Sequence, residues 1–170
     1  KKTIGVGKQF GVMLVVEGGY QYQVATFRTD AGYLDGRRPT DVTFGTAQVD
    51  AERRDFTVNG LLLDPLENKV LDFVKGQQDI KHRVIRAIGD AETRFREDHL
   101  RLMRAVRFAS KLNFSIHQET FSALQKLAPL VQSVSAERIR DEILKVLTEG
   151  GARRGFELLD DAGLLHEVLP

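Results

Sequence analysis

Asp98 and Arg101 stand three residues apart in the run Glu97-Asp98-His99-Leu100-Arg101, inside a stretch with the composition of a helix. At about 100° per residue, Leu102, Ala105, Val106, Ala109 and Leu112 form an apolar stripe, Arg101, Arg104, Arg107 and Lys111 form a cationic one, and Asp98 falls on the apolar side. An ionised carboxylate only accepts hydrogen bonds and a guanidinium only donates them. Together they match an edge carrying an amino donor beside a ring-nitrogen acceptor, which adenine and cytosine have. Uracil and guanine instead offer a carbonyl beside a ring N–H, which leaves polar groups unmatched at about 1–3 kcal/mol each. The chemistry within reach is selection of A and C over G and U. The same residues could equally be a helical ion pair worth about 0.2–0.5 kcal/mol, with the arginines on a solvated face, and the pattern by itself favours that plainer reading.

A second cluster is Asp50-Ala51-Glu52-Arg53-Arg54-Asp55-Phe56-Thr57-Val58-Asn59. Adjacent arginines suit a triphosphate, and Asp55 and Asn59 supply an acceptor and an amide for ribose hydroxyls. Such contacts position a nucleotide without identifying its base. Surface ion pairing within one helical turn is again the plainer alternative. Arg37-Arg38 is a weaker candidate, a loop pair able to close over a bound nucleotide.

Other chemistries find little support. Gly5-Val6-Gly7-Lys8-Gln9 lacks the spacing of a phosphate loop and the hydroxyl after its lysine. His82, His99, His117 and His166 show no metal-ligand spacing, and there is no Gly-x-Ser-x-Gly elbow. Asp72, Asp79, Asp160 and Asp161 read as turn and cap residues. With no cysteine the chain carries no disulfide and no thiolate metal site, which fits the cytoplasm. Its apolar runs are far shorter than the roughly 20 residues of a membrane helix. A net charge of +1 gives no bulk pull toward a polyanion, so any nucleic-acid partner must be held by a local patch. Because Lys1-Lys2-Thr3 has no initiator methionine and leads almost at once into strand sequence, we expect a truncated chain.

The elements that must position these residues change character near residue 88. Before it we expect a hairpin over residues 10–28 turning at Glu17-Gly18-Gly19, and a loop over 29–46 with a short extended piece at 42–44. A short helix capped by Asp50 and a second hairpin around Asp64-Pro65 follow. After it, residues 90–112 hold no Gly or Pro and predict one long helix capped by Asp90. Helices at 117–127 and 135–148 follow, the last stopped by Gly150-Gly151, and two short ones flank Gly163.

Five motifs, in order, now carry a resemblance: Val24-Ala25-Thr26-Phe27-Arg28, Asp35-Gly36-Arg37-Arg38-Pro39, Arg53 to Asn59, Glu97-Asp98-His99-Leu100-Arg101 and Ser135-Ala136-Glu137-Arg138-Ile139. They resemble the bacterial-type (class II) tRNA CCA-adding nucleotidyltransferases and the similar bacterial poly(A) polymerases. The resemblance spans nearly the whole chain and shifts the balance toward the functional readings. It implies an α/β part followed by an all-α part: a partial nucleotidyltransferase palm, a mixed β-sheet with helices, over 1–88, a nucleotide-selecting helical neck over 89–149, and the start of a helical body over 150–170. It implies that Arg54, Asp55 and Asn59 hold sugar and phosphates. Asp98 and Arg101 would template CTP and ATP with Glu97 in support, and Arg104 and Arg107 would add charge beside the triphosphate. The implied activity is template-independent addition of CMP and AMP to tRNA 3′ ends, or of AMP alone to RNA 3′ ends, with Mg2+ as cofactor. Two features depart from the family: its opening Gly-Gly motif and metal-binding Asp-x-Asp pair are not in these 170 residues, and Gln23 stands where the family tends to have an acid. The chain alone is therefore expected to be inactive, and a noncatalytic nucleotide- or RNA-binding module is the reading from another class.

Overall fold

The computed structural model describes residues 2–7, 11–33 and 39–169. Strands β1 (Lys2–Gly7), β2 (Val12–Glu17) and β3 (Tyr20–Ala25) form an antiparallel sheet in that order. The β2–β3 hairpin turns on Gly18 and Gly19, both at positive φ (59° and 83°), the combination a two-residue turn needs to follow strand twist. Each residue of β3 is exposed, so its alternating sequence does not reflect one buried face.

The stretch from 29 to 46, expected as a loop, is mostly a second hairpin: β4 (Arg28–Tyr33) pairs antiparallel with β5 (Pro39–Phe44). Of the residues that suggested a loop, Asp30, Gly32, Pro39 and Asp41 lie within these strands. Helix α1 (Ala47–Glu52) is capped by Thr46, whose hydroxyl accepts the Val49 N–H, and not by Asp50, which sits buried inside the helix. A 3-10 turn (Thr57–Asn59) leads to β6 (Leu61–Asp64) and β7 (Lys69–Asp72), the expected hairpin. Asp72 does cap α2 (Gly76–His82), accepting the Gly76 and Gln77 N–H groups. Asp79 is no turn residue: it is buried, hydrogen-bonded to Thr57 and paired with Arg86.

Beyond β8 (Val84–Ile85) the chain is helical. The single helix expected over 90–112 is two, α3 (Ala91–Glu97) and α4 (Leu100–Leu112), broken at Asp98, which is extended at φ −147° and ψ 106°. Its carboxylate accepts the Leu100 N–H at 3.1 Å, the short-side-chain competition for backbone that makes Asp a helix-end residue. Then come β9 (Ser115–Ile116), parallel to β8, and α5 (Gln118–Leu127), a 3-10 stretch (Ala128–Ser133), α6 (Ala136–Thr148), α7 (Ala152–Asp161) and α8 (Leu165–Val168). Leu102, Met103, Ala105, Val106 and Ala109 put the inner face of α4 at the centre of the core, with Phe56 and Ile85 from the α/β part and Leu124, Val131 and Leu159 from the helices. Helix α7 comes close to α4 because residue 151 is glycine: at φ +73° a Cβ there would lie 2.4 Å from the Ser110 carbonyl oxygen.

Candidate nucleotide site

The α/β wall of the site is organised by Asp50. Held on the inner side of α1, its carboxylate takes Arg53 Nη2 at 2.7 Å, Arg54 Nη2 at 3.0 Å and the Arg28 N–H at 3.3 Å. Arg53 also donates to the Arg28 carbonyl, and Arg54 to that of Asn59 at 2.8 Å. Burial alone would raise the Asp50 pKa; the two guanidiniums outweigh it and hold the acid below its ordinary 3.8. One residue on, the buried Asp55 accepts its neighbour's Phe56 N–H at 2.9 Å and Asn59 Nδ2 at 3.1 Å through Oδ1. Its Oδ2 takes Arg104 Nη2 at 2.6 Å, an ion pair between residues of α4 and the α/β part. The Phe56 ring is fully buried and meets Phe108 edge-on at 5.9 Å, which fixes the backbone of this segment against α4.

The helical wall is the break between α3 and α4. Asp98 and Arg101 do not pair through their side chains, as the plainer reading had it; only the Arg101 N–H reaches the Asp98 carbonyl. The Asp98 carboxylate receives Arg138 Nη2 from α6 at 3.0 and 3.2 Å. Arg101 is almost buried and donates to Glu97 at 2.6 Å, to the Arg94 carbonyl at 3.0 Å and to the Arg53 carbonyl at 3.3 Å. Glu97 thus stands behind Arg101 and braces it. His99 Nδ1 lies 2.6 Å from Ser133 Oγ. That hydroxyl spends its proton on the Leu130 carbonyl, so the imidazole is the donor at Nδ1.

Burial lowers the His99 pKa below 6.5, against the pull of Asp98 and with the push of Arg96. The folded state therefore resists protonation. The contribution is intact above pH 6.5 and declines as pH falls from there through the lowered folded value. Urea midpoints should fall between pH 6.5 and 5 in the wild type and fall less in His99→Gln; parallel curves would contradict this.

Together Arg53, Arg54, Asp55, Asn59, Asp98, Arg101, Arg104 and Phe108 line an open cleft of about 540 Å³. Four guanidiniums face two carboxylates, which suits a polyanion with a polar head. A larger depression of about 730 Å³ beside the start of α5 sets Arg86 and Lys126, with His117, among Asp90, Glu92 and Glu119. Its excess of acids over fixed cations makes it the poorer place for a nucleotide. Of the residues singled out in the sequence, Arg54, Asp55, Asn59, Asp98, Arg101 and Arg104 share the cleft, and Glu97 supports it. Arg107 does not line it: its guanidinium pairs with the buried Glu142 at 2.5 Å and stacks on Phe108 at 4.1 Å, so it bonds helix to helix. Arg37 and Arg38 lie outside the described residues. Asp50, Phe108 and Arg138 lie in or beside the segments singled out, but the sequence reading gave none of them a role in the site. The signals available were the proximity of Asp50 to two arginines and the place of Arg138 in the Ser135–Ile139 motif.

The described residues do not fit a magnesium ion. No group of three carboxylate, histidine or cysteine side chains converges among them, Asp55 and Asp98 are each covered by an arginine, and Gln23 is a neutral amide exposed on β3.

Residues 1–86, half of the chain, match the family described as poly A polymerase head domain. The chain belongs to that family. In this head-domain protein, residues 113–170 further match the "probable RNA and SrmB-binding site of polymerase A". A CCA-adding enzyme of Lactobacillus johnsonii is 44% identical over 169 residues, 99% of this chain and 42% of its own length. One from Geobacillus stearothermophilus is 44% identical over 164 residues, 96% of this chain and 40% of its own. The head-domain protein thus spans about two-fifths of the curated relatives it matches. Among solved structures, the Bacillus stearothermophilus CCA-adding enzyme in complex with CTP superposes with a TM-score of 0.87 at 41% identity, covering 96% of this chain and 39% of that one. A tRNA nucleotidyltransferase complexed with a primer tRNA and an incoming ATP analog gives 0.83 at 27% identity, covering 99% and 47%. An α/β part followed by an all-α part, as the head-domain protein has, is the architecture of these neighbours. Among the described residues no helix is long and apolar enough to cross a membrane.

Proposed function

We propose that this chain is the nucleotide-holding and base-selecting portion of a template-independent RNA nucleotidyltransferase that adds CMP and AMP to tRNA 3′ ends in the cytoplasm. The observation that carries the reading is a fixed acceptor, Asp98, and a fixed donor, Arg101, on one wall of a cleft whose other wall offers Arg54, Asp55 and Asn59. The donor–acceptor pair reads the amino and ring-nitrogen edge shared by ATP and CTP. Arg54 and Arg104 meet the phosphates, and Asp55 with Asn59 the ribose. Residues 1–88 then act as palm, 89–149 as selecting neck and 150–170 as the start of a body that reaches the RNA. The similar structures solved with CTP, and with a primer tRNA and an ATP analog, support these partners.

Transfer itself needs two metal ions to bring the RNA 3′ hydroxyl onto the α-phosphate. Magnesium belongs to this proposal only for a protein that also carries an Asp-x-Asp pair; without one, the chain is a binding module. A longer protein carrying that pair, given tRNA ending before CCA with CTP and ATP, should add C, C and A in order, whereas tailing with A alone would mark a poly(A) polymerase. The direct test is titration of this chain with the four ribonucleoside triphosphates. ATP and CTP should bind about tenfold or more tighter than UTP and GTP, the effect of one or two unmatched polar contacts. Equal affinities would refute the reading.

A further inference from the structure

We infer that Arg138 is a positioning residue for base selection: by holding one edge of the Asp98 carboxylate it aims Asp98 Oδ2 into the cleft as the atom that accepts the base amino group. This rests on the base reading proposed above and adds to it a residue from a third helix.

The side chain of Asp98 belongs to a residue outside both α3 and α4, so helix geometry does not orient it. Two contacts do. Oδ1 takes the Leu100 N–H at 3.1 Å and a share of Arg138 Nη2 at 3.2 Å, which fills its two lone-pair directions. Oδ2 takes only Arg138 Nη2, at 3.0 Å, and keeps a lone pair for a ligand. The carboxylate torsion is broad, so without the arginine the plane of the group would swing about its one remaining contact, the Leu100 N–H. Arg138 is three-quarters buried, which favours one guanidinium position over many. The same stretch of chain clasps the break a second time, through Ser133 Oγ and His99 Nδ1 at 2.6 Å. The segment from 133 to 138 therefore grips both residues of the break between α3 and α4, across 34 and 40 residues of sequence. The guanidiniums of Arg101 and Arg104 on the cleft wall pair with Glu97 and Asp55, not with the Asp98 carboxylate.

A positioning role predicts a loss of discrimination and not of nucleotide binding as such. In Arg138→Met, which keeps an unbranched apolar stem and removes the donors, the ratio of ATP to UTP affinity should drop about tenfold, and UTP affinity itself should change by less than about twofold. Arg138→Lys retains one donor and should recover part of the ratio. Uniform weakening of all four nucleotides, or an undiminished ratio in Arg138→Met, overturns the inference. If the wild-type chain shows no preference at all, the base reading fails and takes this inference with it. A wild-type preference that survives Arg138→Met defeats this inference alone.

Discussion

Glu142→Ala is expected to destabilise the fold by about 3–5 kcal/mol, the cost of leaving a buried charge without its partner. Arg107 and Glu142 keep only 8% and 3% of their side-chain surface exposed, and the pair joins the middle of α4 to α6. Once the carboxylate is gone, Arg107 is left with Glu149 at 3.4 Å and the face of Phe108. A cation over a ring is worth about 0.5–2 kcal/mol and does not offset the lost ion pair. Moving Arg107 to water would require opening the packing of α4 against α6. The double variant Arg107→Met/Glu142→Leu removes both charges at similar volume and should recover most of the stability, since hydrophobic replacement of a buried pair is often neutral or favourable. Urea unfolding followed by circular dichroism distinguishes these cases. A Glu142→Ala protein within about 1 kcal/mol of wild type would mean that the pair is solvated, as surface pairs are. Since Arg107 does not line the cleft, the double variant should also bind ATP as the wild type does.

That pair illustrates where sequence reasoning reached and where it stopped. Helical periodicity put Leu102, Ala105, Val106, Ala109 and Leu112 on one face, and all but Leu112, at the end of α4, are buried. The same periodicity put Arg101, Arg104 and Arg107 on one stripe, but a stripe does not say what it faces. Their partners are Glu97, Asp55 and Glu142, the last two 49 and 35 residues distant. Only tertiary packing decides that Arg104 turns to the cleft and Arg107 away from it. The break at Asp98 was hidden for a related reason. A window free of Gly and Pro looks uninterrupted, although one aspartate that bonds a backbone N–H two residues on is enough to end one helix and start another. Asp50 was read as a cap because Asp often is one. Thr46 holds that position, and Asp50 instead sets the two arginines of the cleft. The hairpin of β4 and β5 escaped because Asp30, Gly32, Pro39 and Asp41, residue types depleted in strands, lie within its two strands. By contrast, the Gly18-Gly19 turn and the Asp64-Pro65 hairpin follow from local chemistry alone and stand as expected.

The second large effect falls on Asp98 itself. Asp98→Asn is nearly isosteric, and its amide oxygen can still accept the Leu100 N–H, so the break between α3 and α4 should survive. What changes is the group presented to Arg138 and to the base: an amide nitrogen takes the place of a carboxylate oxygen, so the charge pair with Arg138 is lost and a donor meets the amino group of adenine or cytosine. That is a donor against a donor, with unmatched groups costing about 1–3 kcal/mol each. Phosphate and ribose contacts through Arg54, Arg104, Asp55 and Asn59 remain, so UTP and GTP should bind much as before. Arg101 is the less clean site for such a test, because its guanidinium also carries Glu97 and two backbone carbonyls, and its removal would disturb the wall.

The decisive measurement is the ratio of ATP to UTP affinity in wild-type and Asp98→Asn chains of matched thermal stability. A ratio of about tenfold or more that collapses toward unity in the variant is the predicted result. A variant that melts like the wild type and keeps the full preference would show that Asp98 does not read the base.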